Sequence, residues 1–396
     1  MDVIKHSIWF SIFILCIASC GNPDNGIFIF NIEDVNNNKT TLAEIADDIT
    51  YVTLENYCPI GLYYDIKIFP NDIFIPTYES GILVFDREGN FKRKIGVRGR
   101  GPGEYLGFTS IDVDYGKGLV YVLDQNNIKV YSINGYYVKT ISFEAFQGED
   151  DDMLGPENTF HEIYFFNNNL LLPVNTSFGR AKNNWVCLDT TGNFVTSKIN
   201  YIPPFKSYCF WLPGTSRRYK DRIVYQDHYN DTVFSILPNL DYEPLFLINM
   251  GDRIPLIPSE ELNIEGRINF ETDRFWVLRY QTESFGKFII LNKDDKKSFY
   301  FDYVITADSN DGPKYTGGIY NDLDGGFPFH PRYYHEENSQ EFLIDLLLPN
   351  RLKTYVASDE FKSSEPKFPE KKVQLEELAN RMEDTDNPII VMVRLK

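Results

Sequence analysis

The chain contains 396 residues, of which 24% are charged and 15% are aromatic, and its formal net charge at pH 7 is −18. So many aromatic side chains exclude an intrinsically disordered protein. The negative charge argues against nucleic acid as a partner and against adhesion to anionic lipid headgroups. We therefore expect a globular protein that contacts a membrane only through an anchor.

The N-terminus has the features of a bacterial lipoprotein leader. A basic segment precedes an apolar run at residues 8–17, which is too short to span a bilayer comfortably. Small residues then stand directly before Cys20, as in a lipobox. We predict a signal peptide at residues 1–19, lipidation of Cys20 and a tether at residues 20–26, which together place the protein on the bacterial outer membrane. An uncleaved anchor with an incidental cysteine is the alternative, and both the periplasmic and the cell-surface side stay open.

A short β-pattern then recurs along the chain. An apolar run, a turn of the form D-x-x-G or S-x-x-G and a second run place glycines at positions 89, 135 and 192, which are 46 and 57 residues apart. Spacings of this size are typical of propeller blades or solenoid arrays. The preceding β-runs lie at residues 73–76, 119–123 and 170–174, and weaker copies lie at residues 222–226 with 231–237 and at residues 275–279 with 288–292.

The glycine-rich segment at residues 98–105 follows the first copy. Its glycines between two predicted strands indicate a tight crossing from one blade to the next, in which Glu104 caps or pairs locally. The alternative is an anion nest, in which backbone N–H groups together with Arg98 and Arg100 bind a carboxylate or a phosphate. A Walker loop is excluded because no Gly-Lys-Ser/Thr follows.

The repeat spacing predicts one closed ring. Residues 27–396 leave room for roughly six to eight units, and closure removes the exposed strand edges of an open array. We expect residues 389–395 to close the ring with a segment near the start, either residues 27–32 or residues 49–54.

One segment departs from the β-pattern. Residues 363–370 are predicted to be a linker, and residues 371–382 are predicted to form a helix on the rim of the ring. The apolar stripe of this helix would consist of Val373, Leu375, Leu378 and Met382.

The potential metal ligands do not form a recognisable set. No two of the histidines that follow the leader form a ligand pair on one element; they are His161, His228, His330 and His335. The acidic run at residues 149–152 lacks the spacing of a calcium cage, and the Asp322-x-Asp324 pattern favours a turn held by side-chain hydrogen bonds. We predict no metal and no cofactor. Cys187 and Cys209 could pair, but buried free thiols, including Cys58, are favoured.

Several segments also resemble a known family. Residues 95–105, of the form I-G-x-x-G-x-G-P-G-E-Y, resemble the signature of the six-bladed β-propeller lipoproteins of Bacteroidetes. Other segments resemble that family in the same order; they are residues 48–55, 230–234, 245–251, 321–326 and 387–396. The resemblance implies a six-bladed ring related to NHL-type propellers, and it implies no substrate. The predicted fold is therefore all-β, a six-bladed propeller of four-stranded antiparallel blades with a short C-terminal helix before the closing strand.

The loops of a propeller divide between two faces, and one of these faces is the candidate binding surface. Loops that join the second strand of a blade to the third share a face with the crossings between blades, and here these loops are the longer and more polar ones. The candidate ligand-binding residues on this face are Tyr78, Arg98, Arg100, Asn126, Asp227 and His228.

These features favour a non-catalytic envelope protein that binds a small ligand, a glycan, a peptide or another envelope protein on that face. The first alternative is a lyase or hydrolase with a metal in the central channel. The second alternative is a structural component of the envelope. No catalytic residue can be named from the sequence.

Overall fold

A computed structural model describes residues 27–35, 39–125, 127–142, 160–176, 181–202, 214–227, 230–249, 265–281, 286–308 and 312–396. The described chain begins with β1 (Phe28–Asn31), a 3-10 turn at Ile32–Asp34, α1 (Leu42–Ile45) and β2 (Ala46–Thr53). A capping box between Thr41 and Glu44 fixes the start of α1.

The strands form six antiparallel sheets, each of which is one blade of a β-propeller, and this confirms the predicted fold class. From the inner to the outer strand, blade 1 consists of β3 (Lys67–Ile68), β4 (Ile73–Thr77), β5 (Gly81–Phe85) and β6 (Phe91–Ile95), and blade 2 of β7 (Phe108–Asp114), β8 (Leu119–Asp124), β9 (Asn127–Ser132) and β10 (Tyr137–Ser142). Blade 3 consists of β11 (Tyr164–Phe166), β12 (Asn169–Pro173), β13 (Asn183–Asp189) and β14 (Phe194–Ile199), and blade 4 of β15 (Thr215–Tyr219), β16 (Arg222–Gln226), β17 (Thr232–Ile236) and β18 (Tyr242–Asn249). Blade 5 consists of β19 (Glu265–Glu271), β20 (Phe275–Gln281), β21 (Gly286–Asn292), β22 (Ser298–Asp308) and an added edge strand β23 (Gly312–Gly317), and blade 6 of β24 (Tyr333–Glu337), β25 (Gln340–Leu347), β26 (Ile389–Leu395) and β2.

The two ends of the chain close the ring in blade 6. β2 is the outer strand of this blade and pairs antiparallel with β26, with Ile49 opposite Val393. The predicted pairing of residues 49–54 with residues 389–395 is therefore confirmed. β1 instead adds a fifth strand to blade 4 by pairing in parallel with β18, with Phe28 opposite Phe246. It covers an outer edge that would otherwise expose unpaired backbone groups.

Three helices lie between β25 and β26: α2 (Pro349–Val356), α3 (Asp359–Ser363) and α4 (Pro369–Arg381). α4 confirms the predicted helix, whereas α2 and α3 were not predicted. Leu375, Leu378 and Met382 are buried, but Val373 is 55% exposed, so its predicted place in the apolar stripe is wrong. Ala379 is buried in its stead, one turn along from Leu375.

Burial explains why the middle strands of each blade are so apolar. β4 is buried along its whole length and β5 is buried at four of its five positions, whereas burial in β6 alternates. The middle strands pack against neighbouring blades on both faces, so they need apolar side chains at consecutive positions. The outer strand β6 meets solvent on one face, where Lys92 and Lys94 are exposed.

The turn glycine of the repeat is required for two reasons. Gly89 has φ of +91°, a region that other residues enter only at a cost. A Cβ atom there would also lie 2.0 Å from the carbonyl oxygen of Thr53, in the outer strand of the preceding blade. The Asp86 carboxylate completes the turn by accepting the backbone N–H groups of Glu88 and Asn90. The repeated turn therefore shapes its own blade and seats it against the previous one.

The hydrophobic core lies between the blades and leaves the axis of the ring to polar side chains. Leu123 and Val130 of blade 2, for example, share a buried cluster with Leu170 and Leu172 of blade 3. Cys58 and Cys187 are buried free thiols, and burial raises the pKa of Cys187 to about 12. Cys209 lies outside the described residues.

The loops divide between the two faces as expected. Asp124, which ends β8 next to a second-to-third-strand loop, accepts hydrogen bonds from the backbone N–H groups of Leu106 and Gly107 in the crossing from blade 1. We call the face that carries these loops and the crossings the crossing face. The opposite face, with the D-x-x-G turns, is the turn face.

Candidate functional site

The inner strands of all six blades surround a central cavity of about 850 Å3. Its wall includes Lys67 of blade 1, Asp112 of blade 2, Glu162 next to blade 3, Arg217 of blade 4 and Tyr333 of blade 6. Inner strands are short and begin at the crossing face, so each blade contributes only a few side chains to the wall. The cavity is therefore assembled from residues that are far apart in the sequence.

Asp112 is the centre of a charged network that crosses the cavity. Its Oδ2 atom accepts hydrogen bonds from Arg218 Nη2 at 2.7 Å and from the backbone N–H of Phe165 at 2.7 Å. Lys67 Nζ lies 3.7 Å from Oδ1 and 3.3 Å from Asp65. Burial lowers the pKa of Lys67, but the charges of Asp65 and Asp112 outweigh it and the pKa is raised. This network connects blades 1, 2, 3 and 4.

A second network surrounds Glu162 on the crossing-face side. Its carboxylate accepts hydrogen bonds from Arg217 Nη1 at 2.9 Å, from Tyr164 Oη at 2.7 Å and from the hydroxyl of Ser216. Burial raises the pKa of Glu162, but the charge of Arg217 and these hydrogen bonds outweigh it and the pKa is lowered. Glu162 is therefore an ionised carboxylate near neutral pH, held between blades 3 and 4.

Blade 6 is connected to blade 1 on both sides of the cavity. Arg87, in the first D-x-x-G turn, forms a two-pronged ion pair with Glu337, with N–O distances of 3.0 and 3.1 Å. Arg332 Nη1 donates to Tyr63 Oη at 3.0 Å, and Arg332 Nε lies 2.9 Å from Asp345. An ion pair on the turn-face side and a hydrogen bond on the crossing-face side thus join blade 6 to blade 1.

Three side chains of the cavity wall have a buried polar atom without a hydrogen-bond partner within the described part of the chain. One is His335, whose Nε2 lies 3.8 Å from Glu337 Oε2. The other two are the hydroxyl of Thr109 and the imidazole of His161, both of whose ring nitrogens are buried. His161 is only 7% exposed. Burial lowers the pKa of His161, so its imidazole is neutral at pH 7. Buried polar groups are normally paired, so these two are candidates for contact with a ligand.

The potential metal ligands of the described residues are their His, Cys, Asp and Glu side chains. No group of three or more His, Cys, Asp or Glu side chains within the described ranges could hold a metal ion. The turn at residues 321–326 is built by side-chain hydrogen bonds, as predicted: Asn321 Nδ2 donates to Asp324 Oδ1 at 2.7 Å, which also accepts the backbone N–H of Gly326 at 2.9 Å.

The glycine-rich crossing satisfies its own hydrogen bonds. The Glu104 carboxylate accepts the backbone N–H of Gly101 at 2.7 Å and thus occupies the position that a bound anion would take in a nest. Arg98 Nε donates to the carbonyl of Leu106 at 3.0 Å, and its guanidinium lies 5.8 Å from the ring of Tyr78. Arg98 and Arg100 are exposed.

The structure brings some of the predicted ligand-binding residues together and separates others. Tyr78 and Arg98 are in contact, and Arg100 lies on the same crossing. Asp227 lies in blade 4 and is buried beside Lys198, with an N–O distance of 3.6 Å. Burial raises the pKa of Asp227 to about 6, although Lys198 opposes the shift. Asn126, His228 and Cys20 lie outside the described residues.

The sequence analysis missed the cavity residues. Charged residues such as Asp112 and Arg218 occur within short inner strands, where they look like ordinary exposed positions.

The fold and the cavity define the class of the protein, a six-bladed β-propeller with a polar central channel. The chain belongs to the family described as "Domain of unknown function (DUF4934)", whose sequence profile matches residues 27–394. No curated protein matches the chain.

Two solved structures are similar to the chain over most of its length. One, from Bacteroides fragilis, is described as a presumed exported protein; it shares 17% identity over 94% of this chain and 100% of that chain, with a TM-score of 0.64. The other is a DUF4221 family member from Bacteroides vulgatus, with 11% identity over 91% of this chain and 99% of that chain and a TM-score of 0.49. At such identities the likeness to the first structure shows the fold alone. Among the described residues, no helix is long and apolar enough to cross a membrane.

Proposed function

We propose that this protein is a ligand-binding propeller of the bacterial envelope, and that it binds a small polar ligand in its central cavity without catalysis. The cavity of about 850 Å3 carries this proposal. Ligand pockets in proteins typically measure about 300–1,000 Å3. The cavity is therefore large enough for an organic ligand of ordinary size.

The charges of the cavity wall support a polar ligand. The wall contains five cationic and five acidic side chains, which are Lys67, Arg217, Arg218, Lys220 and Arg332, and Asp65, Asp112, Glu162, Glu336 and Glu337. The whole chain, in contrast, has a formal charge of −18. The cavity wall is thus balanced in charge, so it does not share the excess negative charge that repels anions from the rest of the protein.

The crossing face offers an entrance to this cavity. Tyr64 lines the cavity, and its ring lies 6.4 Å from the exposed ring of Tyr78, which contacts Arg98. Aromatic rings with polar groups beside them are common at binding surfaces. We place Tyr78, Arg98 and Arg100 at this entrance, with the ligand itself deeper in the ring.

A binding screen with a matched pair of variants tests the proposal. The purified protein is screened against glycans, peptides and small molecules by thermal shift, and hits are titrated by calorimetry. Arg218→Gln, at the cavity wall, should weaken a hit at least tenfold, while Arg274→Gln, on an exposed turn of blade 5, should leave it within twofold. If Arg218→Gln leaves the affinity of a hit unchanged and replacing Arg98 and Arg100 with Ala abolishes its binding, the binding site lies on the crossing face.

Attachment to the outer membrane through Cys20 is part of the proposal. It is supported by the leader pattern and by the likeness to a protein described as exported. Cys20→Ala should release the protein or leave it unprocessed in cell fractionation. A processed Cys20→Ala protein that stays with the membrane fraction would contradict the anchor.

An enzyme of the lyase or hydrolase type is the second candidate, and one observation favours it. His161 is a buried, neutral imidazole beside Glu162 and Arg217, a setting in which a general base can act. Metal analysis of the purified protein and a turnover assay on any ligand found in the screen would decide. Turnover that is lost in His161→Gln would favour the enzyme, and unchanged ligand recovered after long incubation would favour binding alone.

A further inference from the structure

We infer that the ligand of the cavity carries a carboxylate, and that Arg217, His161 and Thr109 bind this group at the crossing-face end of the cavity. The inference rests on the proposed function and adds the chemical class of the ligand. Some hydrogen-bonding groups of the wall already have partners within the protein and others do not, and this difference indicates the ligand.

Three of the five acids of the wall already have partners within the protein. Asp112 is bound by Arg218, Lys67 and a backbone N–H group. Glu162 accepts three side-chain hydrogen bonds, and Glu337 is held by both terminal nitrogens of Arg87. A cationic ligand at any of these three acids would have to displace an internal partner. These acids are therefore poorly placed to bind a ligand whose main polar groups are donors.

The donors of the wall, in contrast, retain unused capacity. Both hydrogen bonds of Arg217, to Glu162 and to the carbonyl of Ser216, use the same terminal nitrogen, Nη1. Its side chain is 39% exposed, so Nη2 and Nε can serve a ligand. Within the described residues, the Thr109 hydroxyl is buried and unpartnered, and the buried His161 imidazole interacts only weakly with the backbone of Gly214. Each of these two groups can donate one hydrogen. The ligand that fits this wall is rich in acceptors.

These three groups occupy corresponding positions in the ring. Thr109 is the second residue of the inner strand of blade 2, His161 stands just before that of blade 3, and Arg217 is in that of blade 4. Inner strands begin at the crossing face, so the unused donors of three consecutive blades lie at one end of the cavity. Ser110 Oγ accepts the backbone N–H of Ile163 at 3.3 Å, which holds the Thr109 and His161 segments side by side.

The count of donors favours a carboxylate over a phosphate. A carboxylate accepts up to about four hydrogen bonds through two oxygens, and one edge of a guanidinium supplies two of them in a planar pair. Nη2 and Nε of Arg217, with Thr109 and His161, supply four. A phosphate dianion would bring more charge against Glu162 and Asp65, which line the same cavity.

Matched probes test this inference on the purified protein at constant ionic strength. Acetate, succinate and glucuronate are titrated beside acetamide, succinamide and glucose, with inorganic phosphate as a separate arm. At least one carboxylate should bind saturably and at least tenfold more tightly than its neutral counterpart.

Two isosteric substitutions locate the site. Thr109→Val removes an unpartnered hydroxyl from the cavity wall, and Thr176→Val removes an equally buried, unpartnered hydroxyl that does not line the cavity. Neither breaks a hydrogen bond within the described residues, so both proteins should fold. Thr109→Val should weaken carboxylate binding at least fivefold, and Thr176→Val should change it less than twofold.

Each contrary result has a distinct meaning. Carboxylates that bind no better than their neutral counterparts, or equal effects of the two Thr→Val substitutions, would overturn the inference. Phosphate that binds more tightly than every carboxylate would overturn it in favour of another anion. If glucose or another neutral probe binds and its binding is weakened by Arg218→Gln, the inference of a carboxylate is overturned and the proposed function is preserved. The proposed function fails only if the binding of no ligand depends on the cavity wall.

Discussion

The glycine-rich crossing and the central cavity use charged residues in opposite ways. In the crossing, Glu104 binds the N–H of Gly101, three residues away, and Arg98 binds a carbonyl eight residues away. In the cavity, Asp112 binds Arg218 across 106 residues and Glu162 binds Arg217 across 55. The motif that is most visible in the sequence therefore serves its own loop, whereas the polar surface suited to a ligand is made by contacts between blades.

If the cavity exists only because the ring closes, removing the closing strand should have the largest effect. Deletion of residues 388–396 removes β26, which lies between β2 and β25 in blade 6. The domain should then lose its cooperative thermal transition, because the sheet is divided and strand edges are exposed. A protein that lacks residues 28–31, and so only the extra strand of blade 4, should still melt cooperatively. Equal melting curves for the first deletion and the parent would contradict closure.

The cavity network should tolerate loss of a charge far less well than the surface does. Asp112→Asn leaves Arg218 and Lys67 without their shared carboxylate, which is only 6% exposed. Because Arg218 is 42% exposed and Lys67 is 18% exposed, water screens part of this loss, and we expect a cost of about 1–3 kcal/mol. The control is Asp295→Asn, whose ion pair with Lys297 is exposed and should contribute little to stability. Urea denaturation gives both values, and similar losses would show that the network does not stabilise the ring.

The buried Asp227 should produce a pH dependence of unfolding that an exposed acid cannot. Its pKa is raised from 3.8 to about 6, so the folded protein binds this proton more tightly than the unfolded chain does. Stability should thus fall as the pH rises from about 4 to about 6, by about 3 kcal/mol. The same decline should be absent from Asp227→Asn, in which the other carboxylates titrate as before. Parallel stability curves for the two proteins, from urea denaturation at each pH, would rule out the raised pKa.

The free energy of unfolding should be sensitive to substitutions at the rim where a turn contacts the neighbouring blade. Gly89→Ala places a methyl group 2.0 Å from the carbonyl oxygen of Thr53 and strains a positive φ, and we expect a loss of about 2 kcal/mol or more. Gly107→Ala is the control because no atom lies within 4 Å of its added Cβ. It should change stability by less than about 0.5 kcal/mol. Comparable losses at the two positions would mean that the turn does not seat one blade on another.

The smallest effect is expected at the crossing. Arg98 and Arg100 are exposed, so replacing both with Ala should change the free energy of unfolding by less than about 0.5 kcal/mol. Binding of a cavity ligand should weaken only slightly, since these residues lie at the entrance. A loss of binding by tenfold or more, in a protein of unchanged stability, would assign the crossing a direct role in the site.

The sequence by itself determined the repeat, the ring and the C-terminal closing strand, because each of these depends on local patterns, but it left two N-terminal segments as candidates for the partner of that strand. Each of these features can be recognised from a few neighbouring residues. They are a turn glycine, apolar middle strands and an unpaired strand at each end of the chain. The helix α4 was equally visible, although the exposure of Val373 was not, since a helical stripe does not show how wide the covering surface is.

Only the tertiary structure decided which charged residues meet. Asp227 was predicted to contact a ligand on the same face as Arg98, but it is buried against Lys198 of blade 3. Asp112, Glu162 and Arg218 gave no local signal, because a charge in a short strand is usually solvated. They line one cavity because six inner strands converge on one axis, and that convergence is a property of the closed ring rather than of any one repeat.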